Sequence, residues 1–384
     1  MSNLCTIEIY ANNLTKKNTY QTGSGDFVSC EFTLSESGPR DFILSFADYQ
    51  NIITSDIVKI KLHESANYFF TGVVREIPIE GATEKRCEYS GYGLSDYLGR
   101  LNTTSKSYSS QTISAILTDL LDNIIIPATP IIKNVAKITP PAITVNSLIA
   151  NYTNVVNVLD ALIKIARSSG DYIYGVDETG EFFFSLRSTT LMATLVVGAN
   201  GEYSIPFYNP EDIGEPVSKV YLKDKDGNYI ATISDSSVSE IKEIELTAPD
   251  INNTDAQLWA AGVLARDAVV TRRASIEWDI ESDSPILLKA DGTLRIISNI
   301  TPSILSPSYS EHYGDGNYGD GLYGGAGYYG YNIDDTLDVK EVKYVISDNT
   351  RTRMIELGEL PIDLNDEIIK VNKNLIDLKV SLGV

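Results

Sequence analysis

The chain has 384 residues, 43% of them hydrophobic and 22% charged, with a net charge of −21. That length exceeds one ordinary core and suits two to four compact units, and the composition excludes wholesale disorder. The acidic balance excludes a protein that grips nucleic acid or an anionic membrane, because phosphate binding needs neutralising Lys and Arg. It does not exclude DNA moving past an acidic wall.

The N-terminus, "MSNLCTIEIYANN", lacks a basic start followed by an apolar run, so no secretory signal is expected there. The first hundred residues then read as short strands. In "FVSCEFTL", Val28, Cys30, Phe32 and Leu34 alternate with Ser29, Glu31 and Thr33. In "DIVKIKLH", Val58, Ile60 and Leu62 alternate with Lys59, Lys61 and His63. Period-two alternation with one wet face marks antiparallel sheet. With "CTIEIYA", "DFILSFAD", "YFFTGVVREI" and "KRCEYSGYG" this gives about six strands, enough for a small barrel or sandwich over 1–102. Cys5, Cys30 and Cys87 fall within those strands as small core residues, too few and too scattered for a disulfide framework or a zinc site.

From Thr103 the period changes. Ile113, Ile116, Leu117, Leu120 and Leu121 have helical spacing after a Ser/Thr-rich entry able to cap. Pro127, Pro130, Pro140 and Pro141 read as a linker-like passage. A second helix places Val155, Val156, Leu159, Leu162, Ile163 and Ala166 on one face and stops at Gly170. A hairpin turning at Glu178-Thr179-Gly180 follows, which makes 103–210 an α+β unit.

The third unit, 211–361, opens with strands "VSKVYLKD" and "NYIATIS" joined at Asp226-Gly227. A helix is expected over 254–273, with Thr254 and Gln257 as a capping box and Leu258, Ala261, Leu264 and Ala265 inward. Strands "ASIEWDIE", "TLRIISNI", "LDVKEVKYVIS" and "RTRMIELGE" complete a second β unit. Inserted between two of them, over 311–332, is "EHYGDGNYGDGLYGGAGYYGYN", in which Tyr313, Tyr318, Tyr323 and Tyr328 recur every fifth residue. Tyr and Gly together make an adaptable contact surface, so partner contact and a plain exposed insertion packed on its own barrel both fit. The Asp-Gly pairs suggest calcium, but the five-residue period is not that of the nine-residue calcium β-helix repeat. The flanks lack the helices of a helix–loop–helix calcium site.

Over 362–384, Leu364, Ile368, Val371, Leu375, Leu378 and Leu382 are spaced 4, 3, 4, 3, 4, a heptad seam. Fewer than three heptads cannot hold a coiled coil alone. Two readings fit: an oligomerisation or docking helix, and an amphipathic helix packed on its own domain. The expected fold class is therefore β-rich α+β: two antiparallel β units, small barrels or sandwiches, flanking an α+β unit, with a C-terminal helix.

Motifs for chemistry are missing. With only His63 and His312, a His triad or three-His metal centre has no material. No aromatic-flanked acidic pair suggests a glycosidase among the 52 acidic residues. No phosphate loop, nucleophile elbow or dinucleotide fingerprint occurs, so neither an enzyme nor a cofactor is expected.

In their order, the passages "YFFTGVVREIPIEGATEKRCEYSGYGLSDYLGR", "TISAILTDLL", "NVVNVLDALIKIARSSGDYIYGVDETGEFFF" and "VKEVKYVISDNTRTRMIELGE" resemble the baseplate hub proteins of phage tails and related contractile particles. They are also similar to the N-terminal hub region of tail-associated lysins. The resemblance spans nearly the whole chain as soft patterns, with no single invariant motif. It implies two barrels sharing a fold with the tail-tube subunit, and a homotrimer presenting six barrels as a ring. Such a ring joins a hexameric tail tube or distal tail protein to a trimeric spike or fibre, leaves a channel for DNA, and resides in the virion after assembly in the host cytoplasm. Lysins continue into a hydrolase, whereas this sequence ends at Val384, so lytic activity is expected from another polypeptide. Two alternative functions are a receptor- or carbohydrate-binding tail protein using the Tyr/Gly stretch, and a cell-wall hydrolase.

Overall fold

The computed structural model describes residues 4–62, 65–78, 87–197, and most of 204–279, 290–298 and 334–358. Seven strands come first: β1 (Cys5–Tyr10), β2 (Lys16–Gln21), β3 (Phe27–Ser35), β4 (Gly38–Phe46), β5 (Ile57–Leu62), β6 (Phe70–Glu76) and β7 (Cys87–Gly93). They pair antiparallel in the order β3-β4-β7-β6-β5-β1-β2. The strand that sequence reading misses is β2, "KKNTYQ", in which only Tyr20 is buried and no alternation shows.

Tyr20 on β2 and Phe46 on β4 have ring centroids 4.7 Å apart. In a flat sheet, five strand spacings would separate them by about 24 Å. The sheet therefore curls around its own apolar face. Among the described residues β2 and β3 do not pair, so the curl stays open where a closed barrel was expected.

The middle segment holds α1 (Asp96–Arg100), β8 (Ser107–Thr112), α2 (Ile113–Leu120), α3 (Ile126–Ala128), β9 (Ile132–Ile138), β10 (Thr144–Ile149), α4 (Val155–Ala166), β11 (Tyr172–Val176) and β12 (Glu181–Leu186). Thr112 caps α2 by accepting from the Ala115 amide, and Asn154 caps α4 by accepting from the Val156 amide. Between α2 and α3 the turn widens to a π-helix over 121–125, closed by the Ile126 amide donating to the Leu121 carbonyl. Pro127 next to it has no amide to continue the regular ladder. The proline passage is not a linker. Its prolines bracket β9, which pairs parallel with β12.

Ile113, Ile116, Leu117, Leu120 and Leu121 pack with Val155, Leu159 and Leu162 in one core, while Val156 is only partly buried against it. The remaining elements are β13 (Leu191–Val197), β14 (Ser204–Ile205), β15 (Glu211–Ile213), β16 (Lys219–Lys223), β17 (Tyr229–Ser234), β18 (Glu243–Thr247), α5 (Asn253–Asp267), β19 (Thr271–Asp279), β20 (Thr293–Ser298), β21 (Asp334–Ser347) and β22 (Arg351–Gly358). Strands β16 to β18 form their own sheet, and with α5 they join the middle core through Val220, Leu222, Ala256, Ala260 and Leu264. Helix α5 begins at Asn253, one residue before the expected cap Thr254, and gives way to a strand at Thr271. Leu264 is buried as expected, but Leu258 is 57% exposed and Ala261 is exposed as well; Ala256, Ala260 and Val263 face inward in their place. Small alanines one turn apart let the helix approach the turn at Arg167–Ser169 closely, which a leucine stripe would prevent.

Strands β13, β14, β15 and β19 to β22 take the other route and extend the first sheet to fourteen strands. The join is β21, which pairs with β3 from Glu341↔Ser35 to Ser347↔Ser29 and with β22 on its other edge.

Candidate functional site: a shared sheet face and the junctions that hold it

Because β21 from Glu341 onward sits between β22 and β3 in unbroken antiparallel register, side chains from both ends of the chain alternate together. Val342, Tyr344 and Ile346 turn into the same core as Leu34, Phe32 and Cys30 opposite them. Phe32 and Tyr344 stack at 5.0 Å between centroids, and Phe69 packs edge-on to Tyr344 at 5.5 Å. The intervening residues form the opposite face. One cross-strand row runs Glu277, Met354, Lys343, Thr33, Asp41, Tyr92 over six strands.

Lys343 pairs with Glu31 at 2.9 Å. Arg40 sits at the bulge where Thr33↔Asp41 gives way to Leu34↔Pro39, and reaches Glu341 at 2.5 Å. On this face Glu31, Asp41, Glu277, Glu341 and Glu356 outnumber Arg40, Arg273 and Lys343, so it is acidic. It ends at β6: the next residue along the row, Val73, is buried with Ile57 in the middle core.

Two junctions fix the middle segment against this sheet. At the first, the β3–β4 hairpin meets β11 backbone to backbone. A Cβ on Gly38 (φ +100°) would lie 2.0 Å from the Val176 carbonyl oxygen, and one on Gly175 would lie 1.9 Å from that of Ser37. Only glycine permits this approach. The Thr71 hydroxyl adds a hydrogen bond to the Glu178 carbonyl at 2.5 Å.

At the second junction, the guanidinium of Arg187, 7% exposed, bridges Glu36 of the hairpin and Asp171, the latter at 2.6 Å. Lys340 on β21 also reaches Glu36, at 3.2 Å. Burial opposes the charge on Arg187, but Glu36 and Asp171 overcome it and hold its pKa above the usual arginine value. The hairpin, the middle segment and the last strands thus meet at one carboxylate.

Beside the hairpin lies an open cleft of about 410 Å³, whose lining includes Glu36, Lys137, Asp177 and Glu178. Lys137 is committed to Asp177 and to Glu181, the latter at 2.7 Å. Burial works against the Asp177 carboxylate, yet Lys137 and Thr179 hold it below the usual range. Those two charges hold β9 to the β11–β12 turn. Among the described residues no group of three or more His, Cys, Asp or Glu side chains could hold a metal ion.

A further polar cluster lies on the outer side of β1 and β5. Glu8, with 11% of its side chain exposed, accepts from the hydroxyls of Tyr10 and Tyr68, both at 2.6 Å, and from Lys16 at 2.9 Å. Burial raises its pKa, but these three donors outweigh it and bring the carboxyl down to about 2. A carboxyl depressed in the folded state stabilises above its unfolded pKa and loses that contribution as pH falls through the folded one. Wild-type protein is therefore expected to lose on the order of 2 kcal/mol between about pH 4.5 and pH 2 that Glu8→Gln does not lose. Chemical denaturation at stepped pH measures it; parallel curves for the two proteins would remove the claim.

The residues that the sequence singled out as contacts are not among those the structure describes. Tyr313, Tyr318, Tyr323 and Tyr328 fall outside the described residues, as do Leu364, Ile368, Val371, Leu375, Leu378 and Leu382, and His63 and His312. Sequence reasoning missed the contact glycines and Arg187. The available signal was an isolated glycine inside an otherwise good strand, "YIYGV", and one after "SES" at a hairpin tip. No described helix is long and apolar enough to cross a membrane.

No family model and no curated protein sequence matches the chain. Solved structures do. A tail protein from Neisseria meningitidis superposes with a TM-score of 0.63 at 12% identity, over 92% of this chain and 96% of that one. The 43 kDa tail protein of prophage MuSo2 from Shewanella oneidensis gives 0.60 at 14% identity, over 92% and 98%. Prophage tail protein gp18 from Listeria monocytogenes gives 0.57 at 11% identity, over 97% and 99%. At these identities the likeness is one of fold, and it extends over nearly the full length of each protein.

Proposed function

We propose that this chain, which carries the fold of prophage tail proteins along nearly its whole length, is a structural hub of a phage tail tip or baseplate and not an enzyme. The observation that carries the reading is the β3–β21 pairing, which merges strands from both ends of the chain into one sheet with one outer face. Each chain then offers two strand sets side by side. Three chains would present six in a ring, matching a hexameric tail tube or distal tail protein on one side and a trimeric spike or fibre on the other. With the acidic face turned inward, the channel would repel DNA phosphates and let DNA pass without holding it. The heptad seam through Ile368 and Leu375 is the proposed spike or trimer contact.

The test is the purified protein itself. Mass photometry is expected to give three copies of the 42.2 kDa chain, and electron micrographs a pseudo-sixfold ring with an open centre. A strict monomer at micromolar concentration sinks the proposal. Ile368→Asp with Leu375→Asp is expected to weaken trimer or spike assembly; unchanged assembly would withdraw the role given to the seam. Deleting 313–331 separates hub from adhesin: lost cell or glycan binding with intact rings would favour receptor binding.

A further inference from the structure

The outer side of β5 carries two cations without a counter-ion among the described residues. Lys59 and Lys61 stand two residues apart on the same strand face, a spacing of about 7 Å. The Lys59 ammonium lies 4.8 Å from the Tyr68 ring centroid and 5.1 Å from that of Tyr10. The Lys61 ammonium lies 4.4 Å from Tyr68. Both lysines are half-buried.

Among the described residues no carboxylate comes within 4 Å of either ammonium. Glu8, opposite Lys59 on β1, is already taken by Tyr10, Tyr68 and Lys16. Burial pushes the Lys59 pKa down; Glu8 pulls it back in part, and Lys61 adds to the fall. Ring faces partly offset the desolvation of a cation, but two like charges held this way remain a site that an arriving anion would relieve.

The chain itself is a polyanion of net charge −21. Copies that assemble must overcome mutual repulsion, and unpaired surface cations lower it most where they meet the carboxylates of a neighbour. Nucleic acid fits less well, since Lys16, Lys59 and Lys61 neutralise few phosphates and the rest of the chain repels the backbone. Next to the patch, among the described residues, β2 pairs only with β1 and leaves its outer edge open.

We infer that this face is a self-association surface, on which carboxylates of a second copy of the chain seat over Lys59 and Lys61. The inference rests on the hub reading, in which copies assemble.

The experiment mixes unlabelled and nitrogen-15-labelled full-length protein and couples amines to carboxylates with a zero-length carbodiimide. Expected are linked peptides of mixed isotope in which Lys59 or Lys61 of one copy joins an acidic residue of the other. Lys59→Gln with Lys61→Gln should weaken association about tenfold and flatten its salt dependence. If wild type assembles but those links occur only within one copy, the inference falls and the hub reading stands. A wild type that is monomeric at every salt concentration takes both down. Retardation of duplex DNA by wild type and not by the glutamine variant would overturn self-association in favour of phosphate binding.

Discussion

Gly38→Ala is expected to destabilise the protein by about 3 kcal/mol, a fall in melting temperature of roughly 4 °C at this chain length. Two costs add. The backbone at φ +100° strains any residue with a Cβ, and that Cβ would stand 2.0 Å from the Val176 carbonyl oxygen. Neither side can yield cheaply, because both atoms belong to backbone held in paired strands. Gly175→Ala, meeting the Ser37 oxygen at 1.9 Å, should behave alike at an ordinary φ and so separate the contact from the strain. Gly25→Ala, with nothing near its Cβ, is the control. Differential scanning calorimetry reads the shift. If Gly38→Ala and Gly175→Ala melt with the control, hairpin and middle segment are not locked backbone to backbone.

A second large effect is expected at the join between the two strand sets. Tyr344 is fully buried, stacked on Phe32 and edge-on to Phe69. Truncation to alanine opens a cavity between β21 and β3 and is expected to cost about 3–5 kcal/mol. Hydrogen exchange gives the sharper readout. If the two strand sets form one sheet, amides of Phe32 and Leu34, which bond across to β21, should lose protection together with those of Val342 and Ile346. The control Val345→Thr lies on the outer face and should leave all four protected. Loss confined to β21 would mean that the sheets stand independently, and the shared face would have no basis.

Much of the local structure was legible. The alternation in "FVSCEFTL" and "DIVKIKLH" names Cys30, Phe32 and Leu34 of β3 and Val58, Ile60 and Leu62 of β5 as buried, because one dry face forces a period of two; at the bulge by Phe27, however, Phe27 is buried and Val28 only half-buried. The helix at Ile113 and the hairpin turning at Glu178-Thr179-Gly180 were equally direct, marked by a cap and by a turn glycine at φ +88°. Legibility failed where a signal was shared or too brief. Strand β2 buries one residue, β9 sits between prolines that read as a linker, and the alanine stripe of α5 is less hydrophobic than the leucine it leaves in solvent.

What the sequence by itself determined is most of the amphipathic strands and the two helices of the middle segment with the faces they bury, the acidic balance and the lack of any catalytic motif. These follow from periodicity and composition, which are local. Only the tertiary structure decided that β21 pairs with β3 some three hundred residues away, that β16 to β18 and α5 join the middle core while β19 to β22 join the first sheet, and that Gly38 and Gly175 meet neighbouring backbone. A strand with one apolar face is compatible with many partners. The choice is made by register and by which surfaces the rest of the chain leaves uncovered, and neither is written in a window of ten residues.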